Sequence, residues 1–232
     1  LGDISIEVVQ KPIKNLHLTV HPPDGRVRIA APLHLDADTI RIYAISKLDW
    51  IKKHRRKIQE QPREAPRDFL DRESHYVWGK RYLLEVIEED TPPAVQLGHG
   101  KLRLTLRPGI NTARREAILA AWYRNLLKEA IPPLIAAWEP RLGVSVAGFS
   151  VRHMKTKWGS CTPATRTIRL NTELAKKPPA CLEYVVVHEM VHLLEPSHNK
   201  RFHALMDHHL PTWPHLLDTL NQLPIRHEEW AY

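Results

Sequence analysis

The sequence predicts an α+β protein, and three observations carry that prediction. Up to about residue 108, apolar residues recur mainly with the period of two that a half-buried strand requires. From Asn111 they recur with helical period, first over a long stretch and again after Pro178. Within the second of these lies His188-Glu189-Met190-Val191-His192, an H-E-x-x-H spacing that sets two imidazoles on one face of a helix.

The elements follow in order. Ile4, Ile6 and Val8, then Leu16, Leu18 and Val20, alternate as strands; His21-Pro22-Pro23-Asp24-Gly25 turns the chain, and Val27 with Ile29 completes a hairpin. Asp38 or Thr39 is expected to cap one helix reaching about Ile58, with Ile42, Ile45, Leu48 and Ile51 inward. Residues 75–88 read as a second β region, turned at Gly79-Lys80; 91–100 reads as a loop; Leu102, Leu104 and Leu106 form another strand. Asn111 or Thr112 caps a long helix with Ile118, Ala121, Trp122, Leu126 and Ala130 inward, kinked or restarted at Pro132-Pro133 and ended by Gly143. Strands at 144–151 and 167–171 precede the H-E-x-x-H helix, and Leu216, Leu217 and Leu220 mark a short apolar helix in the tail. Breaks in composition fall at Arg63–Arg67 and at Pro108-Gly109. The expected division is residues 1–108, β-rich with one helix, and residues 109–232, carrying the H-E-x-x-H helix and a small mixed sheet.

Composition narrows the classes. The chain has 232 residues, 43% of them hydrophobic, enough for one elaborated core or two. No apolar run approaches the ~20 residues of a membrane span, and no basic segment followed by an apolar one opens the chain, so neither a membrane location nor a signal peptide is expected. Two cysteines, Cys161 and Cys181, make no disulfide framework, and a reducing cytoplasm is the expected setting. The net charge of +8 is concentrated in Lys52-Lys53-His54-Arg55-Arg56-Lys57. That run suits nucleic acid or nucleotides as partners, although a like-charged run on a helix is more simply a solvated face.

The H-E-x-x-H stretch is where chemistry concentrates. Pro178-Pro179 suits a helix start. Leu182, Val185, Val186, Val187, Met190, Val191 and Leu194 make the helix apolar nearly all round, so its polar members need partners. His188 and His192 are the expected zinc ligands, since zinc takes nitrogen donors in a four-coordinate shell with one position open in catalytic sites. Glu189 is the expected general base. Glu195-Pro196 ends the helix, and His198 is the expected third ligand, with His203, Asp207, His208 and His209 as competitors on a following helix that Ser197 could cap. The His198 spacing is that of metzincins, but Glu195 stands where their glycine would. Trp158-Gly159 reads as a tight corner with a buried indole. Cys161 as a nucleophile is the minor reading, and Asn171 either caps the sheet end or supports the helix that follows.

Lys155-Thr156-Lys157-Trp158-Gly159-Ser160-Cys161, then Ile168-Arg169-Leu170-Asn171, then H-E-x-x-H with a His six residues on, resemble the YgjP-like family of zinc metallopeptidases, related to SprT-like and Wss1-like zincins. Lys157 replaces the family's usual Arg, Ser197-His198-Asn199 stands where N-H-S is usual, and Phe202-His203 where F-W is usual. The resemblance implies a zincin-like fold from residue 109, a zinc cofactor and a sheet edge over the cleft that can pair with an extended peptide. Peptidase names in that family follow from the motif, and a nucleotide pyrophosphatase activity is also attached to the group.

Three functions are therefore expected in turn. The first is a zinc-dependent hydrolase of metallopeptidase type, with Glu189 as base and Lys155, Lys157, Trp158 and Arg169 as candidate substrate contacts. The second is a nucleoside triphosphate pyrophosphatase, with Lys155, Lys157, Arg169 or Lys200 on the phosphates. The third is a nucleic-acid-binding protein with a structural metal and residues 47–57 as its contact surface.

Overall fold

Val27, Ile29 and Ala31 alternate along one strand and are all fully buried. In the computed structural model that shows this, residues 3–21, 24–60, 67–154 and 157–222 are described. They form an α+β protein of two compact units, one within residues 1–63 and one within 64–226.

The first unit is built on that strand. Strands β1 (Ile6–Lys11), β2 (His17–His21) and β3 (Arg26–Pro32) lie in the order β1-β3-β2. The expected β2–β3 hairpin is present, with Leu18 opposite Ile29, while β1 joins as a parallel partner with Val8 beside Ile29. The single helix expected here is two, α1 (Ala37–Ser46) and α2 (Leu48–Glu60). The Ser46 hydroxyl donates to the Tyr43 carbonyl, and the Lys47 N–H turns to Ala44 and Ile45 instead. A short polar side chain has competed with the helical ladder at that point. The cap is Asp36, whose carboxylate accepts from the Thr39 N–H at 2.7 Å. Ile40 and Ala44, spaced four apart, face the sheet, whereas Ile42 and Ile45 are exposed; the inward face is shifted from the expected one. Ile51 of α2 is buried with Ile4 and Val27.

The second unit holds two sheets and a long helix. Strands β4 (Ser74–Val77), β5 (Lys80–Glu88), β6 (Ala94–Leu97) and β7 (Lys101–Leu106) lie in the order β4-β5-β7-β6. Strand β6 falls in the expected loop: it has four residues, only Val95 is half-buried, and no alternation announces it. Helix α3 (Thr112–Leu142) begins at Asn111, whose side chain accepts from the Arg114 N–H, and ends at Gly143, which takes the left-handed conformation that glycine adopts without strain. It runs through Pro132 and Pro133 without restarting. Tyr123, Leu127, Ile131, Ile135, Trp138 and Leu142 keep one row buried across the prolines, and that packing outweighs the lost backbone donors. The expected inward residues Trp122, Leu126 and Ala130 stand one step round the helix, half-buried against the same core.

Leu84, Leu102, Leu104 and Leu106 of the four-stranded sheet share a cluster with Leu119 of α3, so the chain on the two sides of Pro108-Gly109 packs together. The remaining elements are β8 (Gly148–Arg152), β9 (Gly159–Thr162) and β10 (Thr167–Asn171), followed by α4 (Pro179–Val191), α5 (Lys200–His209) and α6 (Trp213–Gln222). The three strands lie in the order β8-β10-β9, with β10 parallel to β8 and antiparallel to β9. Ile168 and Leu170 of β10, α4, and Phe202, Met206 and Leu220 share the main core of this unit with α3. Among the described residues no helix is long and apolar enough to cross a membrane.

Candidate metal centre

The centre is built on α4, which is buried nearly all round from Cys181 onward. Leu182, Tyr184, Val185, Val186, Val187, Met190 and Val191 are all buried, and Glu189 with them. No side chain caps its first turn, and Pro179 there spares one of the unpaired N–H groups. The preceding residues are anchored from a distance. Trp78 and Gly79 form the two-residue turn between β4 and β5, both with positive φ, at 50° and 78°, as a tight hairpin of this length requires. Their N–H groups donate to the carbonyls of Ala175 (2.8 Å) and Lys176 (3.2 Å), and a Cβ on Gly79 would lie 2.9 Å from Cγ of Pro178.

His188, His192 and His198 converge. Each offers a ring nitrogen to a group whose members all lie within 4.8 Å of one another. Nε2 of His188 and Nε2 of His198 are 3.0 Å apart. His192 caps the end of α4, and its Nδ1 meets the Glu195 carbonyl at 3.0 Å. That contact holds the proton on Nδ1 and leaves Nε2 as the free donor atom, the arrangement that orients a metal-ligating imidazole. Burial, and then the neighbouring histidines, push His188 down to about 3, so it is neutral over the whole physiological range. His198 is lowered for the same reasons, burial first. Nδ1 of His188 is buried with no hydrogen-bond partner among the described residues.

The turn bearing His198 is braced by its own side chains. The Glu195 carboxylate accepts from both the N–H and the hydroxyl of Ser197, at 3.2 and 2.8 Å, and these bonds hold its pKa down. The cap of α5 is Asn199, not Ser197: its side chain accepts from the Phe202 N–H at 3.0 Å. Ser197 is already committed to Glu195. Phe202, buried, lies under all three imidazoles, with ring centres 4.9 Å from His188, 4.7 Å from His192 and 4.8 Å from His198. Of the expected competitors, His203 instead stacks on Trp213, and Asp207 accepts from the Trp213 indole at 2.7 Å.

Glu189 faces β9. It is 5% exposed, and burial pushes its carboxyl up to about 8, opposed by the Lys157 ammonium. An ideal Cβ on Gly159 would stand 2.5 Å from Oε1 of Glu189. Gly159 and Cys161 pair with Leu170 and Ile168 on this face of the sheet. Burial, and then the Glu189 charge, push the Cys161 thiol up to about 11, far from the low value a thiolate nucleophile needs.

The expected substrate contacts separate. Lys157 is exposed and acts electrostatically on both Glu189 and His198. Trp158 is half-buried against the core with the Lys177 ammonium 5.7 Å from its ring. Arg169 pairs with Ser160 on the opposite face of the sheet from Gly159, in a hollow of about 250 Å³ shared with Ser150, Thr162 and Thr167. Lys155 lies outside the described residues. Lys52, Lys53 and Arg56 are exposed on α2 of the first unit, where Arg55 donates to the Gly25 carbonyl. Asn171 is buried and does more than cap: its amide donates to the carbonyls of Met154 (2.7 Å) and Lys157 (2.8 Å). Sequence reasoning missed Glu195 as the support of His192, and Phe202 as the floor of the centre. The proline after Glu195 was the signal, because it forces the turn that brings the Glu195 carbonyl back.

Among curated proteins, none matches the chain closely enough to count as a relative. A family model for the YgjP-like metallopeptidase domain matches residues 14–223. With nearly all of the chain inside that match, and three histidines able to hold a metal ion, the protein belongs to the YgjP-like metallopeptidase family.

Proposed function

We propose that this chain is a zinc-dependent hydrolase of zincin-like build that acts on peptides, with Glu189 as general base. The observation that carries the reading is the convergence of three imidazoles, the first of which neighbours a buried carboxylate on α4. The donor set fits zinc: three imidazole nitrogens, one of them fixed in tautomer, with no thiolate or carboxylate among them. A zinc ion held by His188, His192 and His198 would supply a Lewis acid that polarises a carbonyl and acidifies water.

The remaining chemistry belongs to the chain. Glu189 takes a proton from the attacking water at a carboxylate oxygen and returns it to the leaving nitrogen. Its burial raises the basicity of the carboxyl, and a zinc cation held by the histidines would draw that value back down and leave the carboxylate free to accept. Strand β9 is an edge of its sheet and stands against Glu189 through Gly159. A peptide adding to that edge would be held extended by backbone hydrogen bonds. For a nucleoside triphosphate, Lys157 offers a cation near the base, but Arg169 faces away from it.

The test is a screen of zinc-loaded protein against peptides and nucleoside triphosphates, with Glu189→Gln beside wild type. Cleavage of peptide that Glu189→Gln loses while its zinc stays is the expected result. Equal cleavage by the two proteins would remove the hydrolase reading.

A further inference from the structure

We propose that Gly159 positions the general base: the side chain it lacks is the space in which the Glu189 carboxylate rests. This deepens the reading of Glu189 given above and depends on it.

The backbone does not ask for glycine at this position. Gly159 is not among the glycines with positive φ, and it lies in an ordinary strand opposite Leu170. Glycine within a strand gives up packing and conformational entropy, so its presence there points to a close approach. That approach is by Glu189. A Cβ built on Gly159 would stand 2.5 Å from Oε1, 2.8 Å from Cγ and 2.9 Å from Cδ of Glu189. Three atoms of one side chain, all inside 3.0 Å, leave no rotation of a terminal group that would relieve the contact.

Neither backbone can withdraw. Glu189 is 5% exposed on a helix whose other faces carry Val186, Val187, Met190 and Val191 in the core. Gly159 is held in register by Leu170, fully buried, and the carbonyl of Trp158 accepts from the Asn171 N–H at 2.9 Å. Two residues along on the same face Cys161 carries a side chain. The requirement for an empty position is therefore local to residue 159. A methyl group there would displace the carboxylate from its place while leaving His188, His192 and His198 untouched.

The test uses the full zinc-loaded chain in four forms: wild type, Gly159→Ala, Glu189→Ala and the double variant. Each is assayed for zinc by elemental analysis, for Tm, and for kcat and KM on an internally quenched peptide chosen by wild-type cleavage. Gly159→Ala is expected to keep its zinc and lose roughly 10–100-fold in kcat, the scale of a small misplacement of a reacting group. KM should stay within about twofold, since binding is not what the methyl disturbs. Its Tm should fall against wild type, and the same substitution should cost much less Tm when Glu189→Ala has removed the opposing atoms. If Gly159→Ala does not fold, the double variant should. Wild-type kcat in Gly159→Ala, an equal Tm loss in both backgrounds, or a double variant that also fails to fold would each overturn the proposal. Failure of the hydrolase reading looks different: wild type and Glu189→Gln then cleave alike, and the paired Tm losses still decide whether residue 159 sets the place of Glu189.

Discussion

The carbonyl oxygen of Glu195 sits 3.0 Å from Nδ1 of His192, while the carboxylate of the same residue holds Ser197 beside His198. One residue thus orients two of the three imidazoles, one through its backbone and one through its side chain. Glu195→Ala keeps the carbonyl but loses the brace. Zinc affinity, measured by competition with a chelator, should fall by roughly tenfold, the lower end for supports of metal ligands. Glu195→Gln retains an oxygen at the Oε1 position and should fall less. An unchanged affinity in Glu195→Ala would show that His198 is held by other means.

The proposed base and the proposed ligands separate by substitution. Glu189→Gln keeps the size of the side chain but cannot take a proton at neutral pH. Its zinc content should match wild type while peptide hydrolysis drops by roughly 10²–10⁴-fold. His192→Ala removes one of three ligands, and elemental analysis should find its zinc largely gone.

Phe202 is buried under the three rings and belongs to the main core of the second unit. Phe202→Ala should cost about 3–5 kcal/mol of stability by urea unfolding, as large aromatic truncations do. Phe202→Leu should cost less than half of that, and a loss as large in Leu as in Ala would mean that ring contacts rather than volume matter here.

Cys161 sets a pH dependence. Its thiol is pushed up to about 11 from an ordinary 9.0, by burial first and then by Glu189. The folded protein therefore holds that proton longer than the unfolded chain does. Stability from this group is intact below about pH 9 and falls as pH rises from about 9 to about 11. Alkylation at pH 8, followed by mass spectrometry, should label Cys161 roughly 100-fold more slowly than a free thiol, because two pKa units separate the thiolate populations. Glu189→Gln should recover part of that rate. Labelling as fast as a free thiol would place Cys161 in a different environment.

What could be read from the sequence was what depends on spacing along one element. Residues four apart on a helix share a face whatever surrounds them, so His188 and His192 were legible, and the ends of α3 at Asn111 and Gly143 follow from local backbone chemistry. The contact of Gly159 with Glu189 joins residues thirty apart and exists only because β9 lies on α4. The glycine was visible, but not the carboxylate that requires it. The break at Lys47 and the cap at Asn199 were contests between neighbouring polar residues, decided by which partner each found. Strand β6 is made by pairing with β7 rather than by its own pattern.

The turn at Trp78-Gly79 carries a consequence for dividing the chain. A fragment starting after Pro108 would contain all three histidines and Glu189, yet it would leave behind both N–H groups that hold Ala175 and Lys176, and the glycine against which Pro178 closes. Leu84, Leu102, Leu104 and Leu106 would go with them, stripping Leu119 of its cover. The smallest piece able to keep the helix start moored is one that begins ahead of β4, so the three histidines and their mooring are inherited together or lost together.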